Sequence, residues 1–215
     1  MSSSPTAPTS TTGSSTSSGS DPRPLALVAC GALSQPAAEI AARRGWPVVV
    51  HPLPPLLHNQ PRLIAGEVRT LAERLLDEGH RVVVGYADCG TYGALDSVCD
   101  DLGIQRLPGL HCYDVFAGQS RLERFFDEQP GTYLLTDFLV RSFDRTVIQE
   151  LGLDRHPELR DTYFGHYTRV IWLAQEPDEE LRAQAADAAE SLGLPLTVVA
   201  TGDHGLEQAL ADLVG

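Results

Sequence analysis

Short apolar runs rich in β-branched residues alternate with helix-forming stretches along most of this chain, and that alternation restricts the fold more than any other feature. The runs are "PLALVAC", "WPVVVHPL", "HRVVVGYA", "TYLLTDFL", "TRVIWLAQ" and "LPLTVVAT", each bounded by Gly, Pro or polar residues. They lack the in-out alternation of a half-exposed strand, so they read as parallel strands covered on both faces. A seventh stretch, "IQRLPGLHC", is interrupted by Pro108 and predicts a short edge or bent strand. Helices are expected over 35–44, 61–78, 92–102, 120–128, 141–151, 178–192 and 205–214. Asn59-Gln60-Pro61 supplies a start signal, and Gly79, Gly103 and Gly193 supply stops. Repeated strand–helix units predict an α/β fold: a single three-layer α-β-α domain with a mostly parallel, Rossmann-like sheet, spanning residues 23–215.

Composition accounts for the remainder. Residues 1–22 are dominated by Ser, Thr, Gly and Pro and carry no apolar periodicity. Such a segment cannot bury enough surface to offset its ordering entropy, so a disordered tail is expected. It has neither the basic start and apolar stretch of a secretory signal nor an Arg-rich transit pattern. No later stretch has the length of uninterrupted apolar sequence that crosses a bilayer. A cytoplasmic protein is the expectation. The net charge of −13 opposes non-specific binding to nucleic acid or to an anionic membrane surface. In a reducing compartment its four cysteines are expected to be free, ligating or catalytic rather than disulfide-bonded.

In a parallel α/β sheet, ligands bind outside the carboxyl ends of the strands. Residues just past each run are Cys30, His51, Cys89, His111 with Cys112, Asp137 and Gln175. Three thiols at corresponding βα junctions suggest one shared site at Cys30, Cys89 and Cys112. Cys99 lies inside an expected helix and reads as a small core residue. Thiolates suit a 4Fe-4S cluster or zinc, and a three-cysteine site leaves an open position for substrate. The residues do not choose between the two metals, and His111 could complete a zinc site. A shared zinc would hold the sulfurs within about 4 Å of one another. A cluster would space them at roughly 6 to 7 Å.

The expected function is therefore a metalloenzyme acting on a small, anionic molecule. Two alternatives stand beside it: a non-catalytic metal-handling or accessory protein, and a metal-free enzyme with a cysteine nucleophile. In the last, Cys89 would be activated at a helix start, with His58 or His111 as base. Asp137, ending an apolar strand, is a candidate general acid or base, or a helix cap. His51 and Asn59, in the proline-stiffened "HPLPPLLHNQP", are candidates for the rim that binds substrate. Arg155, Arg160 and Tyr163, in "DRHPELRDTYFGHY", could clamp a carboxylate or phosphate, or form loop salt bridges instead. "CGTYGAL" matches neither phosphate-binding glycine fingerprint.

The stretches "ACGAL", "HPLPPLLHNQP", "YADCGTYG", "LPGLHCYDVFAG", "YLLTDFLVRSFD" and "GLDRHPELRDTYFGHYTRVIWLAQ" resemble the family designated domain of unknown function 1638. The resemblance runs from about residue 25 to residue 202. It implies family membership and carries no assigned activity or site residue.

Overall fold

The computed structural model describes residues 23–215, so the expected tail lies outside the described residues. Strands β1 (Leu25–Ala29), β2 (Val48–Pro52), β3 (Arg81–Gly85) and β4 (Gln105–Arg106) form one parallel sheet in the order β2-β1-β3-β4. Strands β5 (Thr132–Thr136), β6 (Arg169–Ala174) and β7 (Leu196–Ala200) form a second parallel sheet in that order. The protein is thus α/β with parallel sheets, but the strands divide between two sheets where one was expected. The division falls at β4. It pairs with β3 over only two residues, ahead of Pro108 and a turn at Gly109. So short a ladder leaves little edge for another strand.

Helices α1 (Gly31–Arg44), α2 (Pro61–Asp77) and α3 (Ala94–Leu102) connect the first sheet, and α4 (Cys112–Ala117) and α5 (Gln119–Glu128) lead to the second. There, α6 (Asp137–Phe143) continues into a π-helical segment, Asp144–Gln149, followed by the short α7 (Arg160–Phe164) and by α8 (Glu179–Leu192). The last helix, α9 (His204–Val214), returns to the first sheet. Its Leu206, Leu210 and Leu213 are buried in the same core as β1 and β3. No described helix is long and apolar enough to cross a membrane.

Burial differs between strands, and edge position alone does not set it, since the edge strand β5 is buried at four of its five residues. The central β1 is buried at every residue, and so is β6 beyond Arg169. The edge strands β2 and β7 are only partly covered, with Val49 52% and Val198 40% exposed. Their apolar runs therefore look like those of central strands without sharing their burial.

Candidate functional site

The site is assembled where β1 and β3 end. Cys30 follows β1 and opens α1, which starts four residues earlier than the sequence pattern predicts. Gly31 is needed there, because a Cβ would lie 2.8 Å from Leu53 O and from the N and Cα of Pro55. The missing side chain lets the Pro54-Pro55 loop settle on the first turn of α1, with Leu53 N–H donating to Ala29 O at 2.9 Å. That loop continues as a 3-10 turn, Pro55–Asn59, which carries His58.

Cys89 lies four residues past β3, in a turn shaped by Asp88. Its carboxylate accepts from Thr91 Oγ1 at 2.7 Å and from the amides of Gly90, Tyr92 and Gly93 at 3.2, 3.2 and 3.0 Å. Burial alone would raise the pKa of Asp88, but those four donors hold it below the usual carboxylate range. The turn places Cys89 at φ 50°, Gly90 at φ 81° and Tyr92 at φ 51°. A left-handed conformation at a non-glycine residue costs about 1 kcal/mol or more and persists where its surroundings enforce it. The enforcement is visible: Asp88 N–H donates to Gly109 O at 3.1 Å and Cys89 N–H to Leu110 O at 2.8 Å. These two bonds also join the Cys89 turn to the segment leading into Cys112.

Cys112 is the first residue of α4, a helix the sequence pattern does not reveal. The preceding loop is set by Asp114, whose Oδ2 accepts from Leu110 N–H at 2.8 Å and His111 N–H at 2.9 Å. Cys112 is the largest influence on the Cys89 thiol and lowers it. His58 adds to that lowering.

These interactions divide the thiols by chemistry. The influence of Cys112, foremost, together with that of His58, outweighs burial and brings the Cys89 thiol down to about 5. Cys89 and burial hold the Cys112 thiol well above its ordinary value. Burial pushes Cys30 up to about 11, against the opposing pull of backbone amides in the first turn of α1. All three sulfurs feel one another's charge. Tyr86 is 1% exposed, and its hydroxyl is buried without a hydrogen-bond partner. Burial, reinforced by Cys30, raises the phenol.

The three sulfurs are therefore neighbours, but they do not form a set within 4.8 Å of one another, as a shared zinc would need. Among the described residues only Asp203, His204 and Glu207 bring three ligand atoms that close. There both carboxylates are engaged by arginines: Arg43 with Asp203 and Glu207, and Arg44 with Glu207. This group fastens α9 to the end of α1. Cys99 is buried in α3, in the core cluster of the first sheet, as expected.

The other candidates fall in three places. His58 is at the thiols. His111 is exposed beside them and takes part in a capping box with Asp114 at the start of α4; Asn59 is exposed at the end of the 3-10 turn. His51 points elsewhere: its ring meets that of His80 at 6.3 Å, and its Nε2 is buried without a partner. Burial, followed by the charges of His80 and Arg74, lowers its pKa.

Asp137 lies at the carboxyl edge of the second sheet, where it is buried and fully engaged. It accepts from Trp172 Nε1 at 2.8 Å, Gln175 N–H at 3.1 Å and Glu176 N–H at 2.8 Å, which closes the turn after β6. The cap of α6 is Thr136 instead. Asp137, Gln175 and Asp203 line a cleft of about 100 Å³ between the two halves, together with Ala32 and Phe116 from the helices that Cys30 and Cys112 open. The thiols do not line it.

Arg155, Arg160 and Tyr163 are not brought to the thiols. The chain leaves the carboxyl edge through α6 and must regain the amino edge before β6 begins, so their connector lies at the opposite end of the sheet. Arg160 accordingly sits beside Gly193, at the end of α8, and pairs with Asp161 at 2.9 Å. Arg155 is paired with Asp154 at 3.6 Å, and Tyr163 is 44% exposed.

Asp88, Asp114 and Tyr86 are the contributors that sequence reasoning missed. The signal for Asp88 was present in "DCGTYG", an aspartate followed by glycine and threonine in the pattern of a side-chain-closed turn.

A parallel α/β protein with free, buried cysteines just past β1, β3 and β4 is the class that fold and site define. Residues 52–210 match the model of the family described as "protein of unknown function (DUF1638)", and the chain belongs to that family. The matched segment contains His58, Cys89 and Cys112 and begins after Cys30. Neither the proteins of curated function nor the solved structures contain a match to the chain.

Proposed function

We propose that this protein is a thiol-dependent enzyme in which Cys89 is the nucleophile toward a small molecule. One observation carries the reading: a buried cysteine is held at φ 50° in a turn that Asp88 closes, where Cys112 and His58 pull its thiol below the ordinary value. Such an arrangement stabilises a thiolate, and a strained turn presents it at the strand end where substrates bind. Attack would form a bond from Cys89 Sγ to an electrophilic atom, and the displaced electron pair would leave with the departing group. His58 is placed to protonate that group. With Cys89 only 4% exposed, the substrate must be small.

The test is alkylation of the reduced, full-length protein by iodoacetamide across pH, with the modified cysteine located by mass spectrometry. Cys89 should react first, with a midpoint near pH 5, and Cys89→Ser should abolish the fast phase. A midpoint above pH 8, or fast modification of another cysteine, would refute the reading. Metal and sulfide analysis of anaerobically purified protein tests the metal expectation in parallel. Stoichiometric zinc, or iron with sulfide, lost on replacing Cys30, Cys89 or Cys112 by serine, would replace the nucleophile by a thiolate–metal site.

A further inference from the structure

We infer that the cleft between the two halves is a second ligand site, built for a small zwitterion carrying an ammonium group and a carboxylate. It stands apart from the thiol reading, since no cysteine lines the cleft. Placement is the first ground. The helices and turns that follow β1, β5, β6 and β7 all contribute to its wall, so both sheets direct their carboxyl ends to one cavity of about 100 Å³. Ligands of parallel α/β sheets bind in such a crevice. Phe116 and Phe138 give the cavity an apolar wall.

Charge is the second ground. Arg141, Glu39 and Glu176 line the same cleft and are exposed to solvent. Among the described residues, Arg141 and the Glu176 carboxylate have no hydrogen-bond or ion-pair partner. Glu39 accepts from Gln35 Nε2 at 2.9 Å, a neutral donor that leaves its charge unmatched. The other two acids of the wall are engaged: Asp203 pairs with Arg43 at 2.7 Å, and Asp137 accepts from Trp172, Gln175 and Glu176. One unpaired cation and two unpaired carboxylates therefore border room for a few non-hydrogen atoms. A lone anion would meet the two glutamates, and a lone amine would leave Arg141 unmatched. A molecule with both groups answers all three. The frame is fixed before a ligand arrives. Asp137 N–H donates to Gln175 Oε1 at 2.9 Å, and its carboxylate accepts from the Gln175 and Glu176 amides at 3.1 and 2.8 Å. These bonds join the turn bearing Glu176 to α6, where Arg141 stands one turn beyond Asp137 on the same face. In α1, Pro36 has no N–H to offer the Ala32 carbonyl, so a residue lining the cleft keeps an acceptor without its ordinary donor.

The experiment titrates full-length protein calorimetrically with glycine, L-alanine, L-serine and β-alanine, and with propionate and ethylamine as single-charge controls. At least one of the zwitterions should bind saturably, and each control should bind at least about tenfold more weakly. Arg141→Met and Glu176→Gln should each weaken that ligand by about tenfold or more, as the loss of a charge-assisted hydrogen bond requires. Both side chains are exposed, so the variants should keep the melting temperature of the parent protein. Arg145→Met, four residues on and outside the cleft, should bind as the parent does. No saturable binding of any zwitterion, equal binding of propionate or ethylamine, or unchanged affinity in either cleft variant would overturn the proposal. Cys89→Ser separates the two sites. It should bind the zwitterion unchanged whatever its alkylation shows, and a lost affinity would move the ligand to the thiols and overturn the second site.

Discussion

At the scale of single residues, the chemistry depends on the protonation of Cys89. Cys89 is lowered from an ordinary 9.0 to about 5 chiefly by Cys112, whose own thiol is raised. A thiol lowered in the folded state adds stability that is complete above its unfolded value and fades as pH falls toward its folded one. Between about pH 9 and pH 5 the parent protein should therefore lose stability as pH drops, and Cys89→Ser should lose less. Urea midpoints at pH 6 and pH 8 measure this, and equal pH dependence in both proteins would contradict the lowered thiol. His58→Gln should move the alkylation midpoint of Cys89 upward. An unmoved midpoint would remove His58 from the site. Asp88→Asn should cost about 1–3 kcal/mol, since an amide cannot accept from all the donors the carboxylate satisfies. It should also slow alkylation of Cys89, because the left-handed turn would no longer be enforced.

At the scale of elements, glycine contacts decide where the thiol-bearing segments lie. Gly205 in α9 packs so closely on α4 that a Cβ would lie 2.1 Å from Val115 O. Gly205→Ala must push the two helices apart, at a cost of about 1–3 kcal/mol for an overpacked contact. Because Cys112 opens α4, the same substitution should raise the alkylation midpoint of Cys89. A stable variant with an unchanged midpoint would show that α4 yields elsewhere. These contacts also explain what could be read from sequence. β1, β3, β5, β6 and the thiol-bearing strand ends were legible because apolar runs and their glycine boundaries are local signals. α4 was not, since six residues following Pro108 and Gly109 carry too little periodicity. The left-handed φ of Cys89 depends on partners twenty residues away, and the split into two sheets depends on pairings that no local pattern records. The amino-edge position of Arg155 and Arg160 follows from topology: α6 has to carry the chain back before β6 can start.

At the scale of the whole molecule, α9 unites the halves. It follows the last strand of the second sheet, yet Leu206, Leu210 and Leu213 complete the core of the first, beside β1, β3 and the thiols. Its surface ion pairs, Arg43 and Arg44 with Asp203 and Glu207, include arginines about half exposed and contribute little compared with that burial. Leu210→Ala should cost about 2–5 kcal/mol, as expected for a leucine 2% exposed in a packed core. Truncation after residue 202 removes all three leucines and uncovers the apolar faces of α1, α4 and β3. The shortened chain should lose its cooperative thermal transition and bind a hydrophobic dye, and its Cys89 should alkylate with the pH dependence of an ordinary thiol. Retention of a sharp transition at the parent temperature would mean that the first sheet folds without α9. The return of the last helix would then be an attachment and not the closure of the core that holds the site.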